Sequence, residues 1–253
     1  MAKVNVYNKS GASAGEVELP AVFDTEFRPD VIRKAVNAAQ ANRRQPYGSY
    51  KLAGHGPHKS VRSGQGISRV PRATQGGNAV FSPAVVGGRR AHPPKVEKNW
   101  SEKVNKQEKY LARASAIAAC GIEDAVRTRG HQFKEGLTVP VVVDDAVEAI
   151  EKTQELLGAF DAIGVGDDIE RSIDGTKQRP GKGKLRGRRF RQPKSFLFVV
   201  SGLEAPVITA ARNLPGVDVA TPEMISTELA APGGDAGRLI VFTKSALARL
   251  EAM

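Results

Sequence analysis

Arginine and lysine side chains form two dense groups in this chain of 253 residues, and both groups could bind phosphate. Residues 31–96 contain twelve Lys or Arg residues and no Asp or Glu, and residues 175–195 contain nine basic residues and no acidic one. Arginine presents a planar fork of donors that matches phosphate oxygens, and the glycines between the cations let backbone N–H groups approach an anion. The two segments are therefore predicted to bind a polyanion.

The charge of the chain is concentrated in these two segments. The net charge is +11, and without the two segments 17 basic residues face 27 acidic ones, a balance of −10. An acidic body with two cationic insertions favours nucleic acid as the partner. An anionic membrane surface is the weaker alternative, because segments so rich in Gly and Pro are poor candidates for an amphipathic helix.

Asp144 and Asp145 are the most enzyme-like pair in the sequence. They lie at the carboxyl end of the buried strand predicted at Val139–Asp145, and ligands of open α/β sheets bind beyond such strand ends. A magnesium site or a phosphoacceptor could be built there. We favour the alternative that both carboxylates cap the helix predicted from Ala146 and meet the positive end of its dipole.

Two glycine-rich strings do not fit nucleotide binding. Gly175 to Lys182 reads G-x-x-x-x-x-G-K, which is one residue too long for a phosphate-binding loop and lacks the following Ser or Thr. Gly64-Gln65-Gly66 lacks the third glycine of a dinucleotide fingerprint. We predict no catalytic residues and no enzyme.

The histidines do not form a metal site either. His55, His58, His92 and His131 have no Cys or acidic partners at metal-ligand spacing. Within the first basic segment, His55 and His58 are better explained as donors to phosphate or as stackers on a base. The single cysteine, Cys120, excludes an internal disulfide framework and is predicted to be a small packed residue.

Periodic patterns predict alternating strands and helices outside the basic segments. This order favours an α/β fold with a mainly parallel open sheet and helices on both faces, carrying a long extended internal loop and a second basic loop. No apolar run approaches the roughly 20 residues that cross a bilayer, and we expect a soluble, internal protein. The predicted strands are 3–7, 16–19, 139–145, 196–201, 217–220 and 239–243, and the predicted helices are 29–42, 105–121, 122–129, 146–160, 207–214, 223–230 and 245–252.

The first basic segment lacks such periodicity between Tyr47 and Pro94. Nine glycines from Gly48 to Gly88 add backbone entropy that little apolar burial can offset. We predict that this stretch is disordered in the free protein and becomes ordered on a polyanion. Tyr47, Tyr50 and Phe81 could stack on unpaired bases or make packing contacts at the root of the loop, and the sequence leaves both interpretations open.

Four strings carry a family resemblance. SGQGISRVPR (Ser63–Arg72), VVGGRRAHPP (Val85–Pro94), KVNKQEKYLARASA (Lys103–Ala116) and TAARNLPGVDVATPE (Thr209–Glu223) occur in this order. Together they resemble the large-subunit ribosomal protein L4 family in its archaeal and eukaryotic type, over nearly the whole chain. The stretch Arg72–Phe81 is less basic than the family pattern implies.

The resemblance implies a structural protein of the large ribosomal subunit, cytoplasmic and not enzymatic. It implies a globular body at residues 1–44 and 96–253, a loop at 45–95 that penetrates the rRNA, and a second basic loop at 175–195. The loop tip, around Arg62–Arg72, would line the exit tunnel and meet the nascent peptide. The implied partners are large-subunit rRNA and neighbouring ribosomal proteins, with no membrane and no small-molecule substrate. The resemblance implies no cofactor, and any structural magnesium would be bound by the rRNA.

The candidate RNA-binding residues lie in both basic segments. A general nucleic-acid chaperone or another RNA-binding protein is the alternative function. The candidates are Arg43, Arg44, Lys51, His55, His58, Lys59, Arg62, Arg69, Arg72, Arg89, Arg90 and Lys95, followed by Lys177, Arg179, Lys182, Lys184, Arg186, Arg188, Arg189, Arg191 and Lys194.

Overall fold

A computed structural model describes residues 2–251. The chain divides into two compact units. Residues up to 40 and from 103 onward form the first unit, called here the body, and residues 41–102 form the second, called the arm. No helix of the described residues is long and apolar enough to cross a membrane.

The body is built on one six-stranded sheet. Its strands, in spatial order, are β2 (Ser13–Glu18), β1 (Lys3–Tyr7), β5 (Val141–Val143), β10 (Ile240–Thr243), β8 (Leu197–Val199) and β9 (Asp218–Ala220). β1 and β2 pair antiparallel, and every other neighbouring pair is parallel. The predicted mainly parallel sheet is confirmed.

Helices connect these strands. Each of the two basic segments also contains a short ribbon made of two paired strands of two residues each. The helices are α1 (Pro29–Asn42), α2 (Lys106–Ala119), α3 (Glu123–Arg129), α4 (Thr153–Ile163), α5 (Gly166–Asp174), α6 (Val207–Arg212), α7 (Thr227–Ala230) and α8 (Lys244–Glu251). The ribbons pair β3 (His58–Lys59) with β4 (Arg72–Ala73), and β6 (Lys177–Gln178) with β7 (Phe190–Arg191).

The central strands are apolar except for Thr243 at the end of β10, because both faces of the sheet are covered. Val141 and Val143 of β5 belong to a core with Phe160 of α4 and Ile169 of α5, whereas Val142 points into a second core. That second core contains Ile32 and Val36 of α1, Ile117 of α2 and Leu247 of α8. The prediction of helices on both faces is confirmed, and Cys120 is buried as predicted.

Two predicted helices are wrong in extent. In place of one helix over 146–160, a 3-10 turn at Asp145–Ala149 is followed by extended backbone at Ile150 and by α4. The Glu148 carboxylate accepts bonds from the Ser201 amide and from the hydroxyls of Ser201 and Thr243, which fixes the turn against the sheet. In place of a helix over 223–230, a short 3-10 turn precedes α7, which Ser226 caps.

The terminal helix begins one residue earlier than predicted, at Lys244, and its predicted end at Ala252 lies outside the described residues. Helix α5 was not predicted. Its buried residues are Ile169, the polar Asp168 and Ser172, and Gly166, so it offers too few apolar residues for a helix to be predicted from apolar spacing.

Candidate nucleic-acid interface

The root of the arm is a pair of reciprocal hydrogen bonds. The Asn42 amide nitrogen donates to the Glu102 carbonyl at 3.1 Å, and the Glu102 backbone N–H donates to Asn42 Oδ1 at 2.8 Å. Farther along, the Ser49 N–H donates to the Pro94 carbonyl at 3.1 Å. The two ends of the arm are therefore held side by side by the Asn42 side chain and by one backbone hydrogen bond.

Trp100 organises the first turn of the arm. The Tyr47 ring lies 5.1 Å from the Trp100 ring, between centroids. The Arg44 guanidinium lies 4.4 Å and the Lys98 ammonium 4.9 Å from the centre of the Trp100 ring. The packing interpretation of Tyr47 therefore holds in the free chain. The role of Trp100 was not predicted from the sequence, because a single tryptophan forms no pattern of spacing from which its contacts could be inferred.

The middle of the arm needs a glycine where its two legs meet. A Cβ on Gly54 would lie 2.6 Å from Arg89 Cα, and Gly54 has a φ of +76°. Both the close approach and the positive φ exclude larger residues. Nearby, Lys51 forms an ion pair of 2.8 Å with Glu97.

The outer part of the arm is a small hairpin stacked on one aromatic ring. His58 pairs with Ala73 and Lys59 with Arg72, so residues 60–71 form the intervening turn. The Phe81 ring stacks on His58 at 4.6 Å with an 11° angle between the planes and meets His55 edge-on at 5.1 Å. The imidazoles predicted to bind phosphate or bases thus pack against Phe81 in the free chain.

The arm has no interior of its own. Among the described residues, none from 39 to 111 is buried. Most candidate cations of the arm are exposed, while Arg72 and Arg89 are partly buried. The Nε atoms of Arg72 and Arg89 are shielded yet have no hydrogen-bond partner within the part of the chain described. Each of these two groups is a donor that can still take an acceptor.

The second basic segment is a short ribbon that carries its cations outward. The Arg179 N–H donates to the Arg189 carbonyl at 2.8 Å beyond the β6–β7 pair, and a 3-10 turn at Gly181–Arg186 lies between the strands. Of its nine basic residues all except Arg179 are exposed. The Phe190 side chain is 59% exposed, beside the Arg189 guanidinium. Sequence reasoning missed Phe190, which is an exposed ring of the kind that can stack on an unpaired base.

A buried carboxylate fixes the base of this ribbon. Asp168 accepts hydrogen bonds from His131 Nδ1, the Gln132 N–H, Arg171 Nε and Ser195 Oγ, at 2.7–3.1 Å. Burial opposes ionisation of Asp168, but bonds from His131, Arg171 and Ser195 outweigh it and lower its pKa to about 2. Burial lowers the pKa of His131, against the raising effect of Asp168.

A second buried charge, Arg238, locks the strand that leaves the ribbon. Its guanidinium is fully buried and donates to the carbonyls of Ser195 and Phe196 and to the Asp218 carboxylate, the last at 2.8 Å. Burial lowers the pKa of Arg238, and Asp218 opposes that effect. These partners are distant from Arg238 in the sequence, so no short motif predicts the contacts.

The enzyme-like pair has structural roles. Asp144 caps the 3-10 turn through the Asp145 N–H at 3.0 Å, so the predicted capping is right for Asp144, although it caps a turn instead of a helix. Asp145 accepts bonds from the Ser245 N–H and Oγ at 2.9 and 2.8 Å, in the first turn of α8. No cluster of three or more His, Cys, Asp or Glu side chains suited to a metal ion occurs within residues 2–251.

Comparison with known sequences gives the family of the chain. The family described as "Ribosomal protein L4/L1 family" matches residues 17–253. The chain belongs to this family. Proteins named "Large ribosomal subunit protein uL4" are similar over almost their whole lengths, with 47% identity in Thermoplasma acidophilum (98% of this chain, 97% of the relative) and 49% in Methanococcoides burtonii (100% and 99%).

A third relative of the same name, from Halorubrum lacusprofundi, is 49% identical over 96% of each chain. The resemblance to the archaeal form of the L4 family is thus confirmed. These relatives are named as proteins of the large ribosomal subunit, and membership of the same family confirms the prediction of a ribosomal protein that is not an enzyme.

Proposed function

We propose that the chain is a structural constituent of the large ribosomal subunit that binds large-subunit rRNA through the arm and the second basic segment. The exposed cations of an arm with no buried residue carry this proposal. A segment without a core keeps its shape by contacts with a partner, and one with unbalanced positive charge finds that partner in the phosphate backbone.

The two segments have different parts in the proposed complex. The arm supplies a loop, with boundaries near residues 45 and 95, that reaches into the folded rRNA and contributes to subunit assembly. The second basic segment anchors the body, because Asp168 and Arg238 both hold its last residue, Ser195, by hydrogen bonds. All the candidate cations named above act as phosphate or base-edge ligands, and the protein needs no cofactor of its own.

The turn of the arm, residues 60–71, is proposed to line the exit tunnel. Arg62 and Arg69 lie in this turn and are exposed. In the assembled subunit the turn would be surrounded by rRNA and neighbouring ribosomal proteins and would face the nascent peptide. This part of the proposal comes from the family resemblance of Ser63–Arg72.

A competition experiment separates this function from that of a general nucleic-acid chaperone. The chain is titrated with labelled large-subunit rRNA at fixed salt, and unlabelled rRNA or duplex DNA of equal phosphate concentration competes. A site built for folded rRNA predicts that rRNA competes at least about tenfold better than DNA, within the usual ratio of specific to non-specific binding. Equal competition by the two would support the chaperone function.

A further inference from the structure

A pocket of about 860 Å³ lies in the body beside the second basic segment. Its walls come from the end of α3, from α5, from residues 191–194 ahead of β8, from the start of α1 and from residues 232–236. Every lining residue belongs to the body. The pocket is thus a site separate from the arm.

The lining of this pocket is predominantly cationic. Five basic side chains line it, against the two carboxylates of Asp124 and Asp235, and the cations are Arg33, Arg129, Arg171, Arg191 and Lys194. A pocket at the carboxyl ends of the strands has the opposite character, since Glu148, Glu204 and Glu223 line it beside Arg249. The sheet edge where α/β enzymes bind ligands is therefore acidic here, and the cationic pocket lies elsewhere.

Some of the cations in the pocket are already neutralised within the body. Arg33 pairs with Asp235 at 3.3 Å, Arg171 with Asp168 at 2.8 Å and Lys194 with Asp218 at 2.8 Å. Arg129 and Arg191, by contrast, form no ion pair among residues 2–251. These two side chains leave the pocket with positive charge that an anion could balance.

Arg129 is the more informative of these two arginines. Its Nη2 donates to the Pro232 carbonyl at 2.7 Å, while its shielded Nη1 has no hydrogen-bond partner among the described residues. Burial lowers the pKa of Arg129, the neighbouring charges of Arg238 and Arg171 act in the same direction, and the Asp235 carboxylate opposes them. Arg129 is therefore crowded by like charges and keeps a spare donor, and it makes no direct ion pair with a described residue.

We propose that this pocket binds a phosphate group of the rRNA backbone, with Arg129 and Arg191 as its principal ligands. The proposal rests on the proposed function, and it adds a third rRNA contact to those of the arm and the second basic segment. Arg191 belongs both to the ribbon and to the pocket lining, so one rRNA strand that follows the second basic segment can place a phosphate there. Arginine forks suit this role better than lysine does.

Thr128 offers a test that removes no side-chain hydrogen bond or ion pair among residues 2–251. It is exposed and lines the pocket. Thr128→Glu and Thr128→Gln add side chains of nearly equal size but different charge, so their difference reports electrostatics alone. The full chain is titrated with large-subunit rRNA across a series of salt concentrations, with thermal unfolding as the check on folding. Arg129→Gln is a second variant.

We expect Thr128→Glu to bind rRNA about tenfold more weakly than Thr128→Gln, and Arg129→Gln to reduce the slope of log K against log salt by about 1, which is one phosphate contact. In a parallel arm, inorganic phosphate should raise the unfolding temperature of the parent chain above that in chloride of equal ionic strength. Thr128→Glu should lose that rise.

Each contrary result has a distinct meaning. The first case is a parent chain whose rRNA binding depends steeply on salt, with equal affinities for Thr128→Glu and Thr128→Gln and with the parent slope kept by Arg129→Gln. That result overturns the pocket proposal while the proposed function stands. If phosphate stabilises the protein but the variants bind rRNA with the affinity of the parent chain, the pocket binds a free anion and its assignment to the rRNA is overturned. If the parent chain binds rRNA with a slope shallower than about −3, the proposed function and this inference fail together.

Discussion

Ser195 Oγ donates a hydrogen bond of 2.7 Å to Asp168 Oδ2, across 27 positions of the chain. This bond joins Ser195, two residues before β8, to helix α5, and the two partners lie at opposite ends of the second basic segment. Arg171 adds a bond from the same helix to the Lys194 carbonyl at 2.7 Å. The ribbon therefore projects from a rigid base, although none of its own residues from 176 to 194 is buried.

Asp168→Asn should lower the free energy of unfolding by about 3 kcal/mol, because it removes one partner of a buried ionic network. The amide would also turn an NH2 group toward donors that need an acceptor. Urea denaturation followed by circular dichroism measures the loss. Asp167 is exposed on the same helix, and Asp167→Asn should change stability by less than about 0.5 kcal/mol. Equal effects of the two substitutions would contradict the network.

Stability should fall in acid because of the same carboxylate. The pKa of Asp168 is lowered to about 2 in the fold, against about 3.9 in an unfolded chain. Its contribution is complete above the unfolded value and is lost as the pH falls from about 4 toward 2, on the order of 2 kcal/mol. The gap in stability between the parent chain and Asp168→Asn should narrow over that range. A constant gap down to pH 2 would refute this origin.

The sequence predicts the sheet well and the buried polar network not at all. Strands β5, β8 and β10 are runs of apolar residues because both their faces are covered, and such runs are visible without a structure. The Asp168 cluster joins residues 27 and 37 positions apart. Its members have no common spacing, and α5, which carries Asp168, has too few buried apolar residues to be predicted.

The errors in helix extent have a similar cause. Val147 and Ile150 are buried at a spacing of three residues, which suits either an α-helix or a 3-10 turn. Tertiary bonds to Glu148 select the turn. In the arm, composition predicts the lack of a core, whereas the stack of His58 on Phe81 depends on the hairpin register, which no local pattern encodes.

The arm of the free protein should exchange its backbone amides rapidly. Its hydrogen bonds are exposed to water and none of its residues is buried, so local opening costs little. Hydrogen–deuterium exchange of the isolated chain should show little protection from Gly54 to Gly88 and strong protection in β5, β8 and β10. Strong protection throughout Gly54–Gly88 would show that the arm orders without a partner.

A photoreactive residue at Ile67 should cross-link to the nascent peptide in stalled ribosomes. Ile67 lies in the 60–71 turn, and its side chain is 50% exposed. The matched control is the same photoreactive residue at Leu185, which is 81% exposed in the second basic segment. Cross-links to the peptide from 67 and not from 185 are expected. Cross-links to the peptide from position 185 and not from position 67 would contradict the proposal that the 60–71 turn lines the exit tunnel.

Salt-dependent binding to large-subunit rRNA tests the central claim most directly. The intact chain is compared with one in which Tyr47–Pro94 is replaced by a short Gly/Ser linker, after thermal unfolding shows that the body is intact. If about ten cations neutralise phosphates, the intact chain should give a slope of log K against log salt of roughly −7 to −9. The variant should bind much more weakly and with a much shallower slope. Unchanged affinity and slope in the variant would contradict the claim that the arm is the principal rRNA ligand.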